Sequence, residues 1–510
     1  MEYTAAKAIT ALACLGIYLI VIIYFGFFSK QAKIEKPDSI EEFAVGDRKI
    51  NWIVIMFMLI GLQFTAALYL SWFAWGAAEG MIIQYILVYM VFSFVTYYIL
   101  SKRVWIFGRR FNLLTQPDYI QARYNCMPLT WILAVITILV ELPWCIMEFA
   151  AMGTVISALT YGLVPIKVGV LIVGIVVSAY VIYGGMKSIA ITELIQGILS
   201  SLLVAGMVIF AVYKLFGGWG QMFQDVYATH PENLTISFGG VYDYKFWASL
   251  AITASVGQMG YASFFTRIYT GKSVLETKRD CFWGSAVSMI TLLVLVVSVG
   301  CVLIPEISGA PDEMALLYMA DTAFGPVFLG LMGVVLLAAG MSMVSVISSA
   351  HSIIVSENFI KPFKKNMTET DRVKYARWCL LVYSLITVGG ALLDLPNLYN
   401  IAMVLYEGVC QLVPLIVISL YWKRSNKYSA TASLVLGFGT AVVLAITGTT
   451  SGWSAGIYGL VVNLIVHFVV GFITKKDDHV DELFDMVEEY EAAMLGEDKD
   501  GNPVEQTIEP

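Results

Sequence analysis

The chain has 510 residues, of which 59% are hydrophobic and 14% charged, against about 25% charged in an ordinary soluble domain. Mean hydropathy is +0.77. These values exclude a soluble globular domain. The net charge of −7 is uneven: residues 477–510 hold thirteen acids and one lysine, net −12, so the body carries +5.

In chain order, thirteen apolar segments are expected to be membrane helices: 7–28, 52–76, 82–100, 129–157, 165–183, 190–213, 246–268, 282–304, 325–355, 375–393, 398–421, 430–449 and 454–473. About 20 apolar residues span a bilayer as a helix. Hydrocarbon forces every backbone polar group to bond internally, which leaves helices or closed barrels. Alternating segments of about 10 residues, the mark of barrel strands, do not occur. The first segment lacks a basic start and a small-residue cleavage site, so it is taken as a retained helix.

The second segment carries Gly61, Gln63 and Thr65 in an apolar run and ends in Gly76; Phe64, Tyr69, Trp72, Phe73 and Trp75 crowd it. Gln116 to Tyr124 predicts a short interfacial helix, with an ordinary surface helix as the plainer reading. The fourth segment holds Glu141 and Glu148, seven residues apart and so on one face, with Pro143 between them. The seventh holds Ser255, Gly257, Gln258 and Gly260, followed by Phe264 and Phe265. Glu407 lies in the eleventh. In the acidic tail Leu483, Met486, Val487, Tyr490 and Met494 recur at helical spacing. That tail is either a solvated helix or a regulatory and partner-binding element.

An odd number of spans puts the termini on opposite faces. Of 31 Lys and Arg residues, 26 fall in the loops of one face. The bias toward cytoplasmic cations then places the N-terminus outside and the C-terminus in the cytoplasm of a plasma-membrane protein. The expected organisation is an all-α transmembrane domain over 1–476 and an acidic cytoplasmic tail over 477–510. Breaks in the second and seventh segments, five apart, divide the domain into two five-helix repeats, about 50–215 and 244–424. An odd repeat length inverts one against the other, with one N-terminal and two C-terminal helices added. Broken helices at corresponding positions of two halves point to a transporter with its site at mid-membrane. The seven cysteines show no CxxC or Cys/His cluster, so no disulfide framework or zinc site is expected. No phosphate-binding loop is present, and neither ATP hydrolysis nor other enzyme chemistry is expected. The expected partners are a small-molecule solute and the lipid bilayer, with no nucleic acid; the oligomeric state is open.

Four strings carry a family resemblance. Tyr183-Gly184-Gly185-Met186-Lys187-Ser188-Ile189-Ala190-Ile191-Thr192-Glu193-Leu194-Ile195-Gln196 resembles the Y-x-GG-[LM]-x-A-V-x-x-T-D-x-x-Q signature of the sodium:solute symporters. Ala338 to Met343 resembles that family's A-A-x-M-S-[ST] stretch, Phe43 to Arg48 its F-x-x-G-x-R string, and Tyr421 to Arg424 its Y-W-K-R turn. The order and spacing fit over roughly residues 5–475. The resemblance implies a LeuT-type fold of 13 helices with a 5+5 inverted repeat. It also implies sodium-coupled uptake of a small polar solute by alternating access, as in the similar proline, pantothenate, sugar, sialic acid and monocarboxylate carriers.

By the same resemblance, the carbonyls of Gln63, Ala66 and Ala339 and the hydroxyl of Ser342 would hold Na⁺. A hard cation wants such oxygens. A lone serine would be expected to bond its own helix. The family's second hydroxyl falls on Met343, a poor ligand for a hard ion. Its aspartate falls on Glu193. Either Glu193 supplies the missing oxygen, or it takes a proton and coupling is to H⁺; uncoupled transport is a third reading.

For the solute, Gln63, Thr65 and Gln258 sit at the expected breaks, and Tyr69 and Trp72 offer aromatic faces that attract quaternary ammonium groups. Packing and interfacial anchoring are the plainer roles for the aromatics. Glu148, Glu407 and Glu141 have no Lys or Arg partner within their own segments. A charge at the bilayer centre costs roughly 2.5–3.5 kcal/mol on insertion scales. They are hydrogen-bonded in neutral form, paired with a cationic solute or a distant arginine, or part of a proton relay. Together these features suggest a cationic or zwitterionic nitrogenous solute. A membrane sensor and a channel are the rivals of another class. The tail is too short for a kinase, and a channel would show a filter or charged ring.

Overall fold

The computed structural model describes residues 4–24, 37–236, 243–310, 313–364, 366–393, 405–448 and 450–495. Outside them lie Lys30, Lys33 and Lys36, the Gly239–Gly240 pair, the head of the eleventh apolar segment and the tail beyond residue 495.

The chain runs through α1 (Ala5–Ile23), α2 (Ile40–Val45), α3 (Trp52–Gln63) and α4 (Phe73–Glu79). Next come α5 (Tyr85–Arg110), α6 (Gln116–Tyr124), α7 (Met127–Leu159), α8 (Ile166–Phe216) and α9 (Trp219–Thr229). The second half begins with α10 (Tyr244–Gly257), α11 (Ala262–Thr270), α12 (Val274–Gly300), α13 (Pro305–Ser308) and α14 (Ala315–Phe324). It closes with α15 (Pro326–Ile354), α16 (Glu369–Ala391), α17 (Leu405–Tyr421), α18 (Lys427–Thr447), α19 (Ala455–Ile473) and α20 (Val480–Leu495). Among the described residues eight helices are long and apolar enough to cross a membrane, and Trp52–Gln63, Ala315–Phe324 and Leu405–Tyr421 are shorter apolar helices.

The fifth and sixth expected segments form α8, bent at Gly185 (φ 56, ψ −151), a conformation only glycine takes without strain. The connection 214–245 contains α9, and 305–324, after the eighth expected segment, contains α13 and α14. Helix α15 is the centre of the molecule. Its most apolar window is 83% buried, against 28% for that of α1.

Two helices are interrupted. Helix α3 starts at Asn51, whose side chain accepts from Val54 N–H, and stops where Phe64 turns extended (φ −96, ψ 103). Thr65 Oγ1 then accepts from Leu68 N–H at 3.0 Å and restarts the helix, through a π turn at Leu68–Trp72, into α4. The second interruption is the 3₁₀ turn Gln258–Gly260 with extended Tyr261 between α10 and α11. Ile50, just before α3, pairs with the chain just after α11: Ile50 N–H donates to Thr270 O at 3.2 Å and Lys272 N–H to Ile50 O at 3.2 Å. The start of one broken helix therefore meets the end of the other, through a parallel bridge between Ile50 and Gly271.

Helix α6 forms at the expected residues, with a Thr115–Asp118 capping box. It is not a surface helix: Gln116, Pro117, Tyr119, Ile120, Arg123 and Tyr124 are buried. The tail helix α20 is likewise docked. Val480, Leu483, Phe484 and Val487 are buried, and Phe484 packs edge-on against Phe107 of α5 at 6.4 Å. Its acids face cations: Glu491 meets Lys102 and, at 3.4 Å, Arg103, and Asp485 meets Lys423 at 3.9 Å.

Candidate functional site

Glu148 of α7 explains the first break. Its carboxylate accepts from Ala66 N–H at 2.9 Å and from Ala67 N–H at 3.3 and 3.4 Å. In a continuous helix those two N–H groups would bond the carbonyls of Leu62 and Gln63, four residues back. Diverting them to Glu148 releases both carbonyls at the centre of the molecule. The Thr65 hydroxyl lies against the same carboxylate.

Glu141, two turns along α7, does the same at the second break. Its Oε1 accepts from Ala262 N–H, the first residue of α11, at 2.9 Å. Its Oε2 lies 3.4 Å from Nε2 of His351 on α15. The second break is also held by α6: Gln116 Nε2 donates to Gly260 O at 2.9 Å, and Thr137 Oγ1 to Gln116 Oε1 at 3.2 Å. Glu407 follows the pattern, its carboxylate lying against Ser454 and the N–H groups of Ala455 and Gly456 at the start of α19. Among the described contacts no arginine or lysine pairs with any of the three. They serve as caps for helix N-termini, where backbone donors and dipole favour an anion.

Ser342 of α15 lies against Gly61, just before the first break. A Cβ on Gly61 would sit 2.2 Å from Ser342 Oγ, so α3 and α15 touch here through a glycine. Ser342 is 1% exposed, and its hydroxyl does not bond its own helix but lies against the Glu193 carboxylate. Nearby Ser345 and Ser352 bond their own helix, each at 2.7 Å. The expectation that a lone serine bonds its own helix thus holds for these neighbours and fails at Ser342. Ala339 is buried one turn away in unbroken helix.

Glu193 of α8 is not a free carboxylate. Arg267 Nη2 donates to its Oε1 at 2.8 Å and its Oε2 at 2.7 Å, with both side chains fully buried. Ser342 and Ser345 lie against the same carboxylate. Arg267, counted from sequence among the loop cations of the basic face, belongs instead to the interior. It is a site residue that sequence reasoning missed. The only signal was its place in the last turn of a broken segment.

Between the breaks lies a small cavity of about 30 Å³. Gln63, Thr65, Trp72 and Gln258 line it as expected, joined by Met343, the position where the family's second hydroxyl was missing. Tyr69, Glu148 and Glu407, also expected at the solute, do not line it. Tyr69 is fully buried and stacks on Phe64 at 6.0 Å, and the two glutamates are caps. Phe264, named from sequence among the aromatics after the second break, lines it too, whereas Tyr89, Trp144, Tyr261 and Tyr406 were not anticipated. Trp72 and Trp144 stack at 6.4 Å with 8° between planes, and Tyr406 meets Trp144 edge-on at 5.6 Å. Gln63 Nε2 donates to Ser93 Oγ at 3.1 Å, while its Oε1 is buried and unbonded. None of the described lining residues is charged.

This arrangement has counterparts. A profile of the sodium:solute symporter family matches residues 43–437. The osmoregulated proline transporter OpuE of Bacillus subtilis is 24% identical over 503 residues, covering 92% of this chain and 96% of its own. The uncharacterized symporter YhjB of the same organism is 23% identical over 476 residues, covering 89% and 97%. Among solved structures, a substrate-bound, outward-open Na⁺-coupled sialic acid symporter superposes with a TM-score of 0.76 at 16% identity, covering 93% of this chain and 99% of that one. Mhp1, a nucleobase-cation-symport-1 family transporter, superposes at 0.56 and 11% identity, covering 89% and 99%. The fold is thus of the LeuT type. The chain belongs to the sodium:solute symporter family and is a membrane transporter, not an enzyme.

Proposed function

We propose that this chain is a secondary active carrier that moves Na⁺ together with a small polar nitrogenous solute, cationic or zwitterionic, by alternating access. Thirteen helices cross the plasma membrane, with the N-terminus outside and the acidic tail in the cytoplasm. Two inverted repeats, about 50–215 and 244–424, hold both cargoes between their broken helices. The ion gradient supplies the driving force.

The observation that carries this reading is the Gln63 carbonyl released at the break by Glu148, with the buried Ser342 hydroxyl set against Gly61 just before that break and not bonded to its own helix. A hard cation takes hydroxyl and carbonyl oxygens of this kind. The carbonyls of Gln63, Ala66 and Ala339 and the Ser342 hydroxyl are the ligands. Glu193 acts through its pair with Arg267, which is neutral overall and adds no net charge beside the ion. Proton coupling through Glu193 is disfavoured by the same pair, because protonating the acid would leave a buried arginine uncompensated. The solute sits in the aromatic cavity against Gln63, Thr65, Trp72 and Gln258.

The test is the apparent thermal stability of the purified chain in NaCl and in KCl at equal ionic strength and fixed pH. A bound ligand stabilises by about 2.7 kcal/mol when present at 100 times its Kd. Na⁺ should raise the midpoint, and Ser342→Ala should abolish the rise. Equal midpoints in the two salts, with a strong response to pH instead, would favour proton coupling.

A further inference from the structure

The solute class can be narrowed from what occupies the two helix N-termini beside the cavity. The second half of the first broken helix begins at Ala66 and continues to Glu79; the second half of the other begins at Ala262 and continues to Thr270. Such ends carry about +0.5 of a charge each, and they are where a transporter of this architecture can receive an anionic group of its cargo. Here both are already occupied from one helix. Glu148 takes Ala66 and Ala67 N–H, and Glu141 takes Ala262 N–H. Both oxygens of Glu148 and one of Glu141 accept backbone hydrogen bonds, so the first donors of each terminus are already taken and are not left to receive an anionic group of the cargo.

The cavity between these ends is lined by six aromatic side chains and no charged one among the described residues. Aromatic faces attract cations by about 0.5–2 kcal/mol, more where water is excluded. A carboxylate would meet capped helix ends, negative ring faces and no cationic side chain among the described lining residues. We infer that Glu148 and Glu141 act as built-in anions that set the sign of the cargo: a small organic cation, of the amine or quaternary ammonium class, carrying no carboxylate. This rests on the carrier reading above and deepens it. Glu148 and Glu141 are positioning residues, acting through backbone rather than by touching the solute.

The test is a charge panel on the purified full chain in NaCl, with thermal stability as the readout. The probes are choline and tetramethylammonium as cations, proline as a zwitterion, and pyruvate and lactate as anions. At least one cationic probe should raise the midpoint in a saturable way, and neither carboxylate should. In Glu148→Gln, which keeps an acceptor and removes the charge, the preference for cation over carboxylate should fall at least tenfold. A purely structural role for Glu148 would lower the midpoint without moving that ratio. Stabilisation of the unmodified chain by proline, pyruvate or lactate, or by no cationic probe, overturns the inference. The unmodified chain decides the matter even if the variant does not fold. A Na⁺-dependent midpoint alongside carboxylate binding would leave sodium coupling standing and remove only the cation selectivity.

Discussion

At the scale of single residues, the ion site turns on a hydroxyl and a missing methyl. Gly61 lets α3 approach α15 closely enough that any Cβ there would fall 2.2 Å from Ser342 Oγ and 3.2 Å from its Cβ. Gly61→Ala would gain about 1 kcal/mol of helix propensity. Overpacking at such a contact costs about 1–3 kcal/mol, so the clash wins. The variant should be destabilised, and its Na⁺-dependent rise in midpoint should need at least tenfold more Na⁺. Glu148→Ala strips the acceptor from two buried N–H groups, each worth about 1–3 kcal/mol when left unpaired. It should destabilise more than Glu148→Gln in the same melts. Much at this scale was legible in the sequence. Gln63, Thr65 and Gln258 are polar positions in apolar runs, and the structure brings them into one cavity. Arg267 was not legible, because a cation in the last turn of a segment reads the same whether it faces a loop or turns inward. The caps were half legible. Sequence showed that Glu141 and Glu148 share a face, but their partners are backbone groups, and no residue type announces a backbone donor.

At the scale of elements, the breaks follow from local chemistry that the chain displays openly. Small and polar residues interrupt two apolar segments, and the helix stops within a few residues of each. What periodicity could not tell was that α6 would be buried. Its hydropathy is ordinary, and its burial comes from Gln116 reaching Gly260 and Arg123 reaching the carbonyls of Ser419, Trp422 and Ser425. Helix α20 poses a question of magnitude. Its ion pairs are partly exposed, with Asp485 64% and Lys423 40% accessible, and such pairs contribute about 0–1 kcal/mol. Phe484, 1% exposed, contributes far more, since truncating a buried Phe costs about 3–5 kcal/mol in a packed core. The apolar contact therefore dominates. Phe484→Ala should undock α20 and speed proteolysis of residues 477–495 severalfold. Salt at 1 M, where charges are screened beyond about 3 Å, should leave α20 protected.

At the scale of the whole molecule, the two broken helices, the central α15 and α7 form one unit. Helix α7 reaches both breaks through Glu148 and Glu141, so a shift of α7 is felt at both ends of the cavity at once. The all-helical membrane architecture was plain from hydropathy and charge, and the order of four short strings anticipated the family. How the halves face each other was inferred from an odd helix count; the parallel bridge of Ile50 with Gly271 joins the start of one broken helix to the end of the other. The path by which the cargo leaves was not legible, since a sequence carries no record of which contacts break.

The central claim is a cation held between the interrupted α3 and Ser342, and equilibrium binding of radioactive Na⁺ to the purified chain at fixed pH measures it without knowledge of the solute. Binding should be saturable, competed by unlabelled Na⁺ but not by K⁺, and lost in Ser342→Ala while the variant keeps a cooperative thermal transition. Absence of saturable binding to the unmodified chain, or full binding in Ser342→Ala, would contradict it.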